Sequence, residues 1–528
     1  MSVLRPLSAA LLLRRALLQK EREGAIFDLP EEKFYRGMPG FDGSVRSHGE
    51  RASTPLGPAA GPHTQLAENI VLSYLAGGRI LELKTVQVLD RLAIPRPCID
   101  METVGFNVEW SQELSLQESA REYVKARLLL AALGEAGIPE GCGEAERDVL
   151  FDISVGYDLA GVRSAKMSRF LETMRDASRA IDAERRELRA GLPDRWRRLA
   201  EAPVPARIGE CVTISTFHGC PPCEIESIAC HLMDAHDFHV VVKMNPTLLG
   251  YEEVEAILRG ELGYDELRPP RDAFTSDPSF AEGVDLLRSL RAAGEKLGKS
   301  VGAKFTNTLV VENHKSFFRD ERMYLSGPPL HVLAMELSAR VREEVGADLP
   351  ISFSAGVDAR NYPDAVASGF VPVTVCTDLL QPGGYGRFRA YHRALARRME
   401  ETSARTIDEL ILRTDAPSAS AEKADAHAVR EASLRNHRKA ADRARRDARY
   451  AAAANRTPPR KIASRLSLFD CVNCDKCVPV CPNDANFTYE VKPRVVRYRD
   501  LVVRGGCLAL AREEKEFVLG GGKRPSHQ

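Results

Sequence analysis

Val240-Val241-Val242-Lys243-Met244-Asn245-Pro246 is the stretch that decides the fold. Three β-branched residues in succession read as a strand buried on both faces. A lysine at the end of such a strand is expensive to bury unless it meets an anion or an electron-rich ring. Pro246 then ends the run. Similar short apolar runs recur at 80–86, 212–215, 301–311, 351–354 and 371–376, with amphipathic segments such as 225–235 and 329–345 between them. Alternating strand and helix predicts a parallel sheet. The span from 53 to 398 is long for one open sheet and suits an α/β architecture, a (β/α)8 TIM barrel with insertions.

The chain has 528 residues, 74 basic and 74 acidic, so no global field recruits nucleic acid or an anionic membrane. Twelve cysteines without a secreted-disulfide pattern predict a reducing, cytoplasmic setting. No stretch has the apolar length of a membrane span. Residues 1–45 read as an N-terminal helix and packing segment, with Leu11, Leu12, Leu13, Leu17 and Leu18 interleaved with Arg5, Arg14 and Arg15. A transit peptide has the same composition; Phe27, Leu29, Phe34 and Tyr35, which continue from it, favour packing. Residues 46–400 form the barrel. Residues 401–465 turn Ala- and Arg-rich and read as a basic helical linker with little to bury. Tyr450 is the one aromatic residue of its basic stretch, which argues against a nucleic-acid arm. There is no internal repeat.

Residues 466–528 carry the most specific motif. Cys471, Cys474, Cys477 and Cys481, with Pro482, follow the spacing C-x2-C-x2-C-x3-C-P of bacterial-type ferredoxins. Zinc normally uses two separated pairs. The expectation is a small ferredoxin-like domain with one 4Fe-4S cluster. Either Cys481 closes that cluster, or Cys507 does so from a distance.

The barrel runs end in a pattern of small and polar residues. Thr54 to Gly61 reads as a small-residue loop in which Ala59, Ala60 and Gly61 let a flat ring approach the backbone. Lys84-Thr85, Lys243, Thr306-Asn307-Thr308, Ser354 to Asp358 and Cys376-Thr377 follow or end other runs. Paired late-strand loops with glycine are the usual phosphate grip of such barrels. Glu82 and Lys84 fall on one strand face and predict an inward ion pair.

These residues resemble the FMN barrel of class 1 dihydroorotate dehydrogenases and dihydropyrimidine dehydrogenase. Longer runs, Gly57 to Ala67, Glu82 to Gln87, Phe217 to Pro222 and Asn245 to Tyr251, are similar to the selenate reductase-type, molybdenum–selenium-associated family of glutamate-synthase-like proteins. The resemblance covers 26–398 and the ferredoxin segment. It implies an iron–sulfur flavoprotein oxidoreductase in which Ala59, Ala60, Gly61, Lys84, Thr85, Lys243, Thr306 and Asn307 hold FMN. It implies further that Gly356, Val357, Cys376 and Thr377 hold the phosphate end. Asn107 resembles a substrate-amide ligand, and Cys220 a proton-transferring loop cysteine, against a packing role for Cys220, Cys223 and His218. Those larger relatives also carry an FAD/NAD(P)H module. No G-x-G-x-x-G lies between a strand and a helix here, and Gly520-Gly521-Gly522-Lys523 is not a P-loop. A separate FAD/NAD(P)H reductase subunit is therefore expected. Two rival readings stand beside this one: a dihydropyrimidine dehydrogenase or glutamate-synthase-like enzyme subunit, and a non-catalytic relay or scaffold with a degenerate barrel.

Overall fold

Leu56–Pro58 (β1), Ile80–Glu82 (β2), Leu150–Val155 (β3), Cys211–Ile214 (β4), His239–Met244 (β5), Val301–Phe305 (β6), Ile351–Phe353 (β7) and Val373–Val375 (β8) form one eight-stranded sheet. This computed structural model describes residues 4, 6–108, 112–315, 317–418, 425–456, 486–491, 494–519 and 522–527. The strands run parallel in the order β1-β8-β7-β6-β5-β4-β3-β2. Across the seam the Arg79 N–H donates to Leu56 O at 2.7 Å, so the two ends of the sheet are neighbours and the barrel closes. The fold is a TIM barrel, as alternating strands and helices required.

The helices are Ala9–Glu23 (α1), Ala67–Ala76 (α2), Leu116–Glu135 (α3), Ala165–Arg175 (α4), Pro222–Asp234 (α5), Phe280–Leu297 (α6), Pro328–Val345 (α7), Tyr362–Ala367 (α8), Phe388–Glu401 (α9) and Ala426–Arg446 (α10). One of α2 to α9 follows each barrel strand in turn and buries its apolar stripe on the sheet, with further helices inserted, among them Ser178–Gly191 and Ile407–Asp415. Local chemistry sets several ends. Ser115 with Glu118 and Ser279 with Glu282 make capping boxes at α3 and α6. Left-handed glycines, Gly24 and Gly298, end α1 and α6. Helix α1 buries Leu12, Leu13 and Leu17 and packs on α3.

Three sequence readings are corrected, and one strand that the sequence reading passed over is added. The loop at Thr54 to Gly61 contains the first barrel strand, β1, because Gly57 and Pro58 pair with β8 as extended backbone. The polar-punctuated run Leu150–Val155 is a full barrel strand. The run 301–311 is two strands. Its second half, Leu309–Glu312, leaves the barrel for an antiparallel sheet with Arg322–Ser326, Gly105–Asn107 and Ile99–Met101.

The third correction concerns the expectation that the basic helical segment has little to bury. Helix α10 packs along α7 and buries Ala432, Ala440, Ala441 and Ala444, so small residues do the packing. His437 Nε2 lies 2.9 Å from Ser338 Oγ, and Arg342 donates to Ser433 Oγ at 2.7 Å. Several arginines of α10 are engaged internally: Arg438 meets Glu343 and Glu336, Arg445 meets Glu253 and Glu261, and Arg435 meets Asp415. Tyr450 stacks on His331 with ring centroids 4.9 Å apart.

Residues 486–527 contribute three antiparallel strand pairs, the innermost Leu501–Arg504 with Cys507–Leu510, where Cys507 is exposed. Cys471, Cys474, Cys477 and Cys481 lie outside the described residues. Among the described residues no helix is long and apolar enough to cross a membrane.

Gly57 is required at the seam. A Cβ there would lie 1.6 Å from the Ile80 carbonyl oxygen, which β1 cannot avoid without leaving β2. Gly57→Ala is expected to cost at least about 1–3 kcal/mol through overpacking. It should appear as a lower melting temperature and soluble yield; an unchanged melt would mean that the seam relaxes freely.

Candidate functional site

A cavity of about 720 Å³ opens at the C-terminal ends of the barrel strands, roofed in part by the antiparallel sheet that contributes Phe106, Asn107, Tyr324 and Ser326. Thirteen residues named from the sequence line it: Ala59, Ala60, Gly61, Lys84, Thr85, Asn107, Lys243, Thr306, Asn307, Gly356, Val357, Cys376 and Thr377. Cys220 does not line it.

The floor is built by strand register. Lys243 on β5 pairs with Lys304 on β6, and Lys304 with Ser352 on β7, so two lysines stand side by side. Across the interior, Glu82 on β2 neighbours Asp152 on β3. The Glu82 carboxylate takes the Lys304 ammonium, the Ser352 hydroxyl at 3.2 Å and the Ala60 N–H at 3.1 Å. Glu82 therefore pairs with Lys304 and not with Lys84 as expected. Strand β2 ends at Glu82, and the Lys84 N–H turns aside to Thr64 O.

The electrostatics of this floor are unusual. Burial brings the Lys243 ammonium down to about 7, and the neighbouring Lys304 adds to the effect. Burial brings Lys84 down to about 8. Burial, and then Glu82, push the Asp152 carboxyl up. Asp152 Oδ2 accepts from Thr213, while its Oδ1 and the Thr374 hydroxyl are buried with no hydrogen-bond partner among the described residues. Lys243 forms no hydrogen bond or ion pair among the described residues. A buried ammonium such as that of Lys243, unpaired with a carboxylate among the described residues, is what an anionic or electron-rich ligand neutralises.

Two walls present backbone. At Ala59-Ala60-Gly61 a Cβ on Gly61 would meet the His63 ring at 2.7 Å and Cys376 Sγ at 3.5 Å, so the chain there carries no bulk. Gly356 has φ +50, and a Cβ on it would lie 2.4 Å from Gly327 O. The N–H groups of Gly356 and Val357 find no acceptor among the described residues. Thr377 Oγ1 donates to Ser326 Oγ at 3.2 Å beside them. Free N–H groups beside hydroxyls form an anion cradle.

On the remaining side His218 enters the cavity from the loop after β4. Its Nδ1 lies 2.8 Å from Asn245 Nδ2 and 3.4 Å from Asp277 Oδ2. Asp277 is buried and accepts from Asn245 at 2.7 Å, Thr247 at 2.7 Å and the Gly219 N–H at 2.9 Å. Although burial opposes it, hydrogen bonds from His218, Thr247 and Asn245 hold this carboxyl below its usual range. Asn307 donates to Asn245 Oδ1 at 2.6 Å and joins the network. Cys220 sits two residues on, its thiol buried against Pro221 O and pushed up to about 11 by burial, then by Glu224. Burial likewise pushes the Cys376 thiol up to about 11, although Lys84 and Lys243 oppose it.

Sequence reasoning passed over Lys304, Asp152 and Asp277. Lys304 had a signal: Val301-Gly302-Ala303-Lys304-Phe305-Thr306 repeats the strand-end pattern of Val240 to Asn245. Asp277 sits in a loop with no pattern of its own.

A closed (β/α)8 barrel with a lysine-floored, backbone-walled cavity at its C-terminal mouth defines a barrel of the ligand-binding, enzyme-bearing class. A profile of the family described as oxidoreductase YgfK, N-terminal TIM-barrel domain, matches residues 27–428, and the chain belongs to that family. It is 38% identical over 408 residues to "Putative oxidoreductase YgfK" of Escherichia coli K12, and equally to that of Escherichia coli O157:H7. The match covers 74% of this chain and 39% of the relative, so the chain spans about two fifths of the length of these proteins. Among solved structures it is similar to DHODH from Eimeria tenella. The complex with ferulenol has a TM-score of 0.46 at 15% identity, covering 76% of this chain and 94% of that one. The ligand-free form has a TM-score of 0.43 at 15% identity, covering 76% and 98%.

Proposed function

We propose that the chain is the FMN-bearing part of an iron–sulfur oxidoreductase acting on a small amide-bearing or heterocyclic substrate. The observation that carries this reading is that Lys84, Lys243 and Lys304 all line one cavity, with Glu82 engaged by Lys304 alone, between the Ala59-Ala60-Gly61 wall and the Gly356–Val357 cradle. The donor set suits the cofactor. Ala59, Ala60 and Gly61 would face the flat ring, Lys243 and Lys84 its electron-rich edge, and Gly356, Val357 and Thr377 its phosphate. Bound FMN supplies hydride and single-electron chemistry that no side chain offers. The cavity volume falls in the usual range for cofactor sites.

The chain's own residues bind, orient and move protons. Asn107 would offer its amide group to the substrate. His218, held by Asp277, is better placed than Cys220 to hold a proton at the cavity, because its ring lines the space and the Cys220 thiol does not. His218→Gln is expected to retain FMN and its chemical reduction while substrate turnover falls by about 10²-fold or more. Wild-type turnover in that variant would remove His218 from proton transfer.

The 4Fe-4S cluster is proposed on the cysteine spacing alone, with Cys471, Cys474, Cys477 and Cys481 as ligands in a reducing, cytoplasmic setting. A separate FAD/NAD(P)H reductase would exchange electrons with it. Cys474→Ala should abolish bound iron. Loss of iron in Cys481→Ala with a silent Cys507→Ala supports closure by Cys481, and the reverse pattern supports Cys507. Retained iron in Cys474→Ala would sink the cluster assignment.

The direct test is the absorption spectrum of anaerobically purified protein before and after cofactor extraction. Flavin bands in the extract, released as FMN, are expected. A cluster band with no extractable flavin would overturn the flavin reading and favour the relay.

A further inference from the structure

The loop after β7 and helix α9 enclose a surface groove of about 610 Å³ lined by Arg360, Arg387, Arg389, Arg393, Arg397 and Arg398, with Glu401 its only acid. Arg387 is engaged by Asp378, and Arg398 by Asp364 and Glu401. Arg360, Arg389, Arg393 and Arg397 are exposed and form no ion pair among the described residues. Arg389, Arg393 and Arg397 recur every four residues, so their guanidinium stems rise from one face of α9 at about 6 Å intervals over about 12 Å. Like charges at this spacing disfavour the helix. On α10, Arg435, Arg438, Arg443 and Arg445 each meet a carboxylate, whereas none of this row does among the described residues.

We infer that the groove docks a carboxylate-rich protein partner that exchanges electrons with the cavity; the electron-exchange part rests on the flavin reading above. Three observations choose this occupant. The guanidinium fork matches carboxylates bidentately, and the spacing of the row fits separate acids better than a single small anion. The groove's other lining residues are Ala359, Pro363, Gly386, Ala390 and Ala394, so it offers no aromatic platform for a nucleic-acid base. The groove is also joined to the cavity wall. Arg387 donates to both oxygens of Asp378 at 2.9 and 2.6 Å, and Asp378 directly follows Thr377 of the phosphate cradle.

The test uses the full chain and flavodoxin, an acidic electron-carrier protein, as probe. Binding by fluorescence anisotropy should weaken at least about tenfold between 20 and 300 mM salt, as screening shortens the reach of exposed charges. Arg389→Glu, Arg393→Glu and Arg397→Glu combined should weaken low-salt binding by a further factor of about ten, as truncating rim charges lowers the rate of encounter. These side chains are exposed, so the melting temperature should hold. Arg186→Glu, on another face, should bind as wild type does. Equal binding by the triple variant, or displacement of flavodoxin from the groove by a mixed-sequence single-stranded oligonucleotide at lower concentration, would overturn the proposal. Extracted FMN is measured on the same samples. Missing FMN with intact, arginine-dependent binding faults the flavin reading alone; bound FMN with arginine-independent binding faults the docking surface alone.

Discussion

Replacing Lys243 by Met is expected to make the ligand-free protein more stable and the proposed flavin site much weaker. Lys243 forms no hydrogen bond or ion pair among the described residues, and burial has already brought its ammonium down to about 7. Removing a buried, uncompensated charge should stabilise the fold by about 1–3 kcal/mol, the range seen when buried charges give way to apolar groups. The sign with pH is definite. The unfolded chain holds this proton up to the ordinary lysine value of 10.5, whereas the folded chain releases it near 7. Between those values the unfolded state binds more protons, so the wild-type chain gains stability as pH rises from about 7 towards 10.5. The Lys243→Met variant should lack that gain, and its advantage should shrink over the same window. FMN affinity should fall by tenfold or more, about 1.4 kcal/mol. Thermal melts of the apo proteins across pH, with flavin titrations beside them, check both halves. An unchanged affinity would remove Lys243 from the site; an unchanged melt would mean that the ammonium is already compensated.

The second large effect is expected at Glu82 and Lys304, each 3% exposed at the side chain. Glu82→Ala leaves the Lys304 ammonium, the Ala60 N–H and the Ser352 hydroxyl facing a void. Lys304→Met leaves the Glu82 carboxylate beside Asp152. Each single change should cost about 3–5 kcal/mol, because breaking one side of a buried pair strands the other. The double variant Glu82→Ala with Lys304→Met should lose clearly less than the two single losses added together. Denaturant midpoints of the four proteins measure it, and additive losses in the double variant would show that the two groups do not stabilise each other. Since Glu82 also accepts from Ala60, Glu82→Ala should loosen the loop proposed to face the flavin ring.

The charged floor explains why a barrel interior normally filled by branched apolar residues is polar here. Glu82, Asp152, Lys243 and Lys304 occupy inward strand positions, and the stabilisation they forgo is consistent with a site kept for ligand rather than for packing.

Much of this protein was legible in its sequence. The runs around Val240 and Val301 announced parallel strands because β-branched residues favour extended backbone. The small residues at Ala59 to Gly61 and the lysine at 243 announced a cavity because neither has a packing reason at a strand end. Tertiary structure alone decided the rest. Leu56–Pro58 became a strand only because β8 and the seam at Arg79 lie beside it. Glu82 chose Lys304 over Lys84 because a closed barrel brings opposite strands closer than two residues on a turning chain. Asp277 reached His218 from 59 positions away, a proximity that no local pattern encodes. Helix α10 hid its destination because alanine carries almost no hydrophobic signal, yet packs closely once α7 supplies a matching face. Local sequence sets backbone preference, but which charges meet depends on the closure of the barrel, and that is a property of the whole chain.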